Sequence, residues 1–289
     1  MTRRDIVTAI PTSFHADGSL DLEGTRSIYR YVAASGNEGA FVLGTTGEFP
    51  AVDEAEFASL VGVALEELRA HMRVIVHVGR PSAYEAVRRV RIARELGARE
   101  FAALTPYYLA STQDALYDYF KAVAEAVGDG ELFIYIYPKL SGNAVSPELL
   151  ARLAELPNVI GAKISELSLD DIRAYRAVVP ADFVLYTGAD RDLVAAGEAG
   201  AQGVVSGVSS VLPKPFRALA AAADSGDPAL LARAQADVDD IVSVIGGDMP
   251  RMKAGYRAMG IADGTCRMAL AEPDAAALAE IDRVLATYA

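Results

Sequence analysis

The chain has 289 residues, 52% hydrophobic and 23% charged, enough apolar surface for a sizeable core and too much for a disordered polymer. Lys+Arg 27 against Asp+Glu 39 leaves a formal charge of −12, which repels nucleic acid and anionic membrane but still admits an anionic small molecule into one buried, locally positive site. The N-terminus carries Arg3 and Arg4 without a sustained apolar leader core, no stretch approaches a membrane span, and the one cysteine, Cys266, cannot form an internal disulfide; the expectation is a cytoplasmic protein.

Short apolar runs bounded by turn residues recur along the chain, at 6–11, 39–45, 73–79, 100–106, 132–138, 159–165, 183–189 and 203–209. They are near-continuously hydrophobic rather than alternating, as parallel strands covered on both faces should be. Helical periodicity fills the intervals, for instance over 53–70 and 82–96. Asp21, Asp53, Ser82, Ser111 and Ser146 are the expected N-caps, with Pro147 at a first helical position. Gly36, Gly97, Gly128 and Gly200 are the expected closing glycines. Eight such units predict a (β/α)8 TIM barrel over residues 1–212. A doubly wound sheet would show a G-x-G-x-x-G turn after its first strand, and none is there. Residues 213–289 read as the last barrel helix and a C-terminal helical extension, broken near 226–228, 246–250 and 260–264. No linker composition intervenes, so a single domain is expected.

Of the lysines at 121, 139, 163, 214 and 253, only Lys163 lies inside a core strand. Strand alternation puts Val159, Gly161, Lys163 and Ser165 on the face turned into the barrel. Gly161 is expected to leave room for the lysine stem. Such a lysine either pairs with a neighbouring carboxylate or, desolvated and neutral, attacks a ketone carbonyl. Tyr135, in the preceding strand, is either an amphipathic core residue or a proton relay beside that amine. The GTTGE turn (44–48) is either a plain β-to-α turn or a carboxylate cradle of hydroxyls and backbone N–H groups. Residues 104–109, LTPYYL, bring two tyrosines to the same rim.

GTTGE (44–48), TPYY (105–108), Y-x-x-P-x-x-[ST]-G (135–142) and G-x-K (161–163) occur in the order and spacing of one family. Over essentially its whole length the chain resembles the dihydrodipicolinate synthase/N-acetylneuraminate lyase family. The resemblance implies that Lys163 forms a Schiff base with pyruvate and Tyr135 transfers protons. It implies that Thr45 and Thr46 hold the pyruvate carboxylate, with Thr46 linking Tyr135 to a Tyr108 contributed across a subunit interface of a homotetramer. Gly188 and Val205 match backbone positions lining the pocket.

The branch is read from the departures. Dihydrodipicolinate synthases carry an arginine for the second substrate's carboxylate where this chain has Leu140, and leucine cannot pair with a carboxylate. Lys139 is expected to point elsewhere on an extended segment. Sialic-acid lyases carry an acidic residue in place of Arg191 and a serine in place of Gly207, although Asp190 matches an acidic sugar contact. The expected reaction is therefore reversible cleavage of a 2-keto-3-deoxy sugar acid to pyruvate and an aldehyde, with Asp190, Ser206 and Ser141 among the sugar contacts. Dihydrodipicolinate synthesis, keto-deoxy acid dehydration and a non-catalytic pyruvate sensor are the alternatives. His15, His71 and His77 are scattered without metal-ligand spacing, so neither metal nor other cofactor is expected; His77 reads as a satisfied barrel histidine.

Overall fold

Eight parallel strands close a barrel in sequence order in the computed structural model, which describes residues 4–289. They are β1 (Asp5–Ala9), β2 (Gly39–Val42), β3 (Arg73–His77), β4 (Glu100–Leu104), β5 (Glu131–Ile136), β6 (Val159–Ile164), β7 (Val184–Thr187) and β8 (Gly203–Ser206). Each falls on one of the eight apolar runs. The reason is visible in β2, β7 and β8, which are buried at every position and so have no wet face to alternate with. Residues 1–3, part of the N-terminal stretch read for a leader, lie outside the described residues. Among the described residues no helix is long and apolar enough to cross a membrane.

The helices start where their sequence provides an acceptor for otherwise unbonded first-turn N–H groups. Asp53 caps the helix Glu54–Leu68 in a reciprocal capping box with Glu56, and Asp21, Ser82 and Ser146 cap theirs. The expectation of Ser111 as a cap is off by one residue. Thr112 is the cap of Gln113–Val127, its Oγ1 accepting the Ala115 N–H at 3.2 Å. Ser111 instead donates its N–H to Asn143 Oδ1 at 2.7 Å. The closing glycines at 36, 97, 128 and 200 all adopt positive φ.

Ile75–Val204 forms one compact unit, and Met1–Val74 with Val205–Ala289 another. Within the first, in-register pairing sets Gly161 opposite Phe133 and Val184, and Lys163 opposite Tyr135 and Tyr186. Period-two alternation puts these residues on one face, the lysine layer two residues further along than the glycine layer. The space at Gly161 is not used by the lysine stem as expected. A Cβ there would lie 2.6 Å from the Phe133 ring and 2.5 Å from the Val184 carbonyl oxygen, so the ring fills the gap. Phe133 in turn stacks on Tyr186 at 5.7 Å and 21°.

In the second unit, helix Leu22–Ala33 lies beside Glu54–Leu68, with Arg26 and Arg30 both bonded to Glu67. The C-terminal helices are Pro213–Ser225, Pro228–Val244, Met249–Ala258 and Ala275–Tyr288. They break where glycine and proline predicted, and residues 259–274 run between the last two without helix.

Candidate active site

Lys163 is 6% exposed and Tyr135 1%. Adjacent strands in register bring them together, with Lys163 Nζ 4.1 Å from the centre of the Tyr135 ring. An amine over the face of a phenol is favourable as a cation–π contact. It also sets a nucleophile beside a group that can give and take a proton. His77, on the same face of β3, approaches the Tyr135 ring edge-on at 6.0 Å. Its Nε2 accepts the Leu104 N–H at 3.2 Å, which fits the satisfied barrel histidine read from the sequence. Gly188 N–H donates to the Ile164 carbonyl at 2.6 Å, and a Cβ on Gly188 would collide with Ser165. The backbone after β7 thus lies directly against the segment that follows Lys163.

Beyond β5 the chain does not stay extended. Pro138–Ser141 forms a helical turn closed by Gly142 in the left-handed region. Lys139 therefore points where an extended segment would not send it, and its ammonium binds Glu166 at 2.5 Å. The Tyr137 hydroxyl donates to the other Glu166 oxygen at 2.5 Å. Lys139 first, then Tyr137, hold the Glu166 carboxyl below its ordinary range. Burial, and then the Glu166 anion, push the Tyr137 phenol up. The Tyr137 ring lies 6.2 Å from that of Tyr135, so this network borders the lysine–tyrosine pair. Leu140 is 54% exposed. Ser141, expected as a sugar contact, is buried and engaged: Oγ accepts from Thr105 Oγ1 at 2.8 Å and donates to the Tyr137 carbonyl at 3.0 Å.

Asn143 was not singled out from sequence, yet it organises the neighbouring rim. Its Nδ2 donates to the carbonyls of Pro106 at 2.8 Å and Leu109 at 2.9 Å, while Oδ1 takes the Ser111 N–H. The loop it holds presents Tyr108 at φ 82° with 92% exposure, flanked by exposed Leu109. Asp190 and exposed Arg191 lie in a single 3-10 turn after β7.

In the other unit, Thr45 and Thr46 follow β2 in a turn between Leu43 and Glu48, both with left-handed φ. The Glu48 N–H bonds the Thr45 carbonyl at 3.0 Å, and Thr12 Oγ1 holds the Gly47 carbonyl at 3.0 Å. Both threonine side chains are half-buried. Val205 and Ser206 are buried at the end of β8, where Ser206 Oγ accepts the Ser209 N–H at 3.0 Å. Gly207 faces Thr46: a Cβ there would lie 3.5 Å from Thr46 Oγ1 and 2.5 Å from the Met252 methyl. Leu43, Glu48, Tyr108 and Glu166 are the non-glycine residues with positive φ among the described residues. All four come just after β2, β4 or β6, where backbone strain collects at functional sites.

Sequence reasoning missed Lys253. It is 2% exposed on helix Met249–Ala258 and forms an ion pair with Glu48, which is 0% exposed. Its one signal was a lysine in an otherwise well-filled helix face.

A family model described as the dihydrodipicolinate synthetase family matches residues 2–287. The 4-hydroxy-tetrahydrodipicolinate synthase of Dechloromonas aromatica (strain RCB) is 35% identical over 221 residues, 76% of this chain and 75% of that one. Among solved structures, dihydrodipicolinate synthase from Thermotoga maritima is 31% identical, with a TM-score of 0.90 and 99% of both chains covered. A variant described as the first monomeric dihydrodipicolinate synthase is 32% identical, with a TM-score of 0.89, covering 99% of this chain and 96% of its own.

Proposed function

Because this chain belongs to the dihydrodipicolinate synthetase family, and so is a pyruvate-dependent, Schiff-base carbon–carbon lyase, we propose that its substrate is a 2-keto-3-deoxy sugar acid, cleaved reversibly to pyruvate and a neutral hydroxylated aldehyde. In this reading the Lys163 amine attacks the C2 carbonyl of the keto acid, water leaves, and the imine acts as the electron sink for breaking the carbon–carbon bond. Tyr135 moves the protons of carbinolamine formation and takes the proton from the sugar hydroxyl as the bond breaks. Thr45 and Thr46 hold the carboxylate, Gly188 and Val205 line the pocket with backbone, and Asp190 and Ser206 meet the sugar end. Tyr108 completes a neighbouring subunit's site in a homotetramer built as a dimer of dimers. Its 92% exposure supports that role, since a ring so displayed leaves almost all of its surface for another chain to cover. The single cysteine supports a reducing cytoplasm as the compartment.

The observation that carries the substrate assignment is Leu140, together with the engagement of Lys139. A dicarboxylic product needs a cation for the distal carboxylate. Leu140 supplies none, and the adjacent ammonium is bound to Glu166 at 2.5 Å. Gly207 speaks against the sialic-acid branch, because it offers no hydroxyl where those lyases carry a serine. The test is a side-by-side measurement of kcat/KM for pyruvate with glyceraldehyde and with aspartate semialdehyde. The assignment requires glyceraldehyde to be preferred. Equal or better use of aspartate semialdehyde would establish the second reading, 4-hydroxy-tetrahydrodipicolinate synthesis, which the name of the 35% identical relative favours.

A further inference from the structure

Glu48 closes the threonine turn, yet its carboxylate points into protein and is 0% exposed. Among the described residues, the C-terminal segment supplies the hydrogen bonds to that carboxylate. Oε1 accepts from Lys253 Nζ. Oε2 accepts the backbone N–H groups of Arg267 at 2.9 Å and Met268 at 2.6 Å. Lys253 is tied down in turn, donating to the Thr265 carbonyl at 2.8 Å and lying 5.0 Å from the centre of the Phe14 ring. Arg267 anchors the same loop from outside. Its guanidinium binds both Glu56 oxygens at 2.6 Å, the Ala51 carbonyl at 2.6 Å and the Gly18 carbonyl at 2.7 Å.

We propose that Glu48 and Lys253 are positioning residues for the keto-acid carboxylate: the C-terminal segment grips Glu48 and thereby fixes where Thr45 and Thr46 present their hydroxyls. The proposal rests on the reading that those threonines hold that carboxylate. Three features make the grip specific to the turn rather than general packing. Glu48 has φ 52°, a conformation that a residue with a Cβ keeps only when its surroundings impose it. Its N–H bonds back to the Thr45 carbonyl, so a displacement of Glu48 moves the threonines directly. The residue before Lys253, Met252, places its methyl against Gly207, which also faces Thr46. The buried charge is also matched locally. An unmatched Glu48 anion beside the turn would repel the substrate carboxylate, so the lysine permits two carboxylates to sit close together.

Position and charge make opposite predictions for Glu48→Gln. Removing an anion near a carboxylate site tightens pyruvate binding if charge alone matters. Loosening the turn weakens it, and sub-ångström to ångström misplacement can cost up to about 100-fold. We expect half-saturating pyruvate, read by borohydride trapping of the imine, to rise about tenfold or more in Glu48→Gln, with full trapping retained at saturation. Cys266 provides a second reading of the grip in a variant that keeps Glu48. It lies beside the pair, where burial pushes its thiol up to about 12, and it is the single cysteine, so its rate of modification by a disulfide reagent reports opening of the loop. In Glu48→Gln that rate rises from the lost anion alone, since Glu48 helps hold the thiol up. The thiol is therefore read in a second variant, Arg267→Met, which keeps the Glu48–Lys253 pair. There both the thiol rate and half-saturating pyruvate should rise, the latter less than in Glu48→Gln, and this variant carries the test if Glu48→Gln does not fold. Half-saturating pyruvate within about twofold of the parent in folded variants, whatever the thiol does, overturns the proposal, as does tighter binding in Glu48→Gln. Thr46→Val separates the two layers. If it leaves half-saturating pyruvate unchanged, the threonine reading itself fails and the proposal falls with it. If it shifts while Glu48→Gln does not, only the positioning role is lost.

Discussion

Lys253→Met isolates the energetic cost of the buried ion pair. Methionine keeps the length and apolar stem of lysine and removes the ammonium, leaving the 0% exposed Glu48 carboxylate with the Arg267 and Met268 N–H groups and the adjacent Cys266 thiol as polar partners. Breaking a buried pair by removing one partner costs about 3–5 kcal/mol. With unfolding entropy near 2.1 cal/mol/K per residue, a chain of 289 residues loses about 0.6 kcal/mol per kelvin, so the midpoint should fall by about 5–8 °C. Adding Glu48→Gln removes the stranded charge and should restore at least half of the deficit, because a buried pair replaced as a unit is nearly neutral. Thermal melts of parent, single and double variants decide the matter. A single-variant loss below about 1 kcal/mol, or a double variant less stable than the single, would refute the reasoning.

Lys163→Ala should abolish borohydride-dependent mass addition from pyruvate, and labelling that persists in it would place the imine elsewhere. Tyr135→Phe should keep the fold and slow turnover by about 10²- to 10⁴-fold, the range for losing a general acid–base; an unchanged rate would leave the phenol a packing group. Leu140→Arg should raise kcat/KM for aspartate semialdehyde by about 10- to 150-fold, from about 1.5–3 kcal/mol for a charge-assisted bond, and lower sugar-acid cleavage; no gain would mean that position 140 does not face the second substrate. In sedimentation the parent should run as an oligomer, and an active monomer at assay concentration would remove the intersubunit role of Tyr108.

The strands were legible because a parallel barrel strand is buried on both faces, so its sequence is a plain apolar run that a single polar residue interrupts audibly. Lys163 and Tyr135 stood out for that reason. Features set by contacts far apart in sequence were not legible. Glu48 and Lys253 meet across 205 positions, and neither residue's neighbours announce the other. The expected direction of Lys139 took the segment after Tyr137 as extended. In the fold Pro138 instead starts a helical turn, a position where its missing N–H costs nothing. The shift from Ser111 to Thr112 is of the same kind: either residue can cap, and Asn143, more than thirty positions away, takes the Ser111 N–H for the rim loop.

Gly161 and Phe133 have a consequence for how this protein can change. The ring occupies the volume that a side chain at 161 would need, 2.6 Å from where its first carbon would sit, and rests on Tyr186 in the layer of Lys163. Position 161 is closed twice over, because shrinking Phe133 would clear the ring but leave the Val184 carbonyl oxygen 2.5 Å from the first carbon of any side chain. Glycine at 161 is therefore held by backbone, and a smaller residue at 133 leaves a void beneath the lysine that 161 cannot grow to fill. A library randomising both positions should return glycine at 161 and confine its variation to 133, so the floor of this barrel can be reshaped from one strand only.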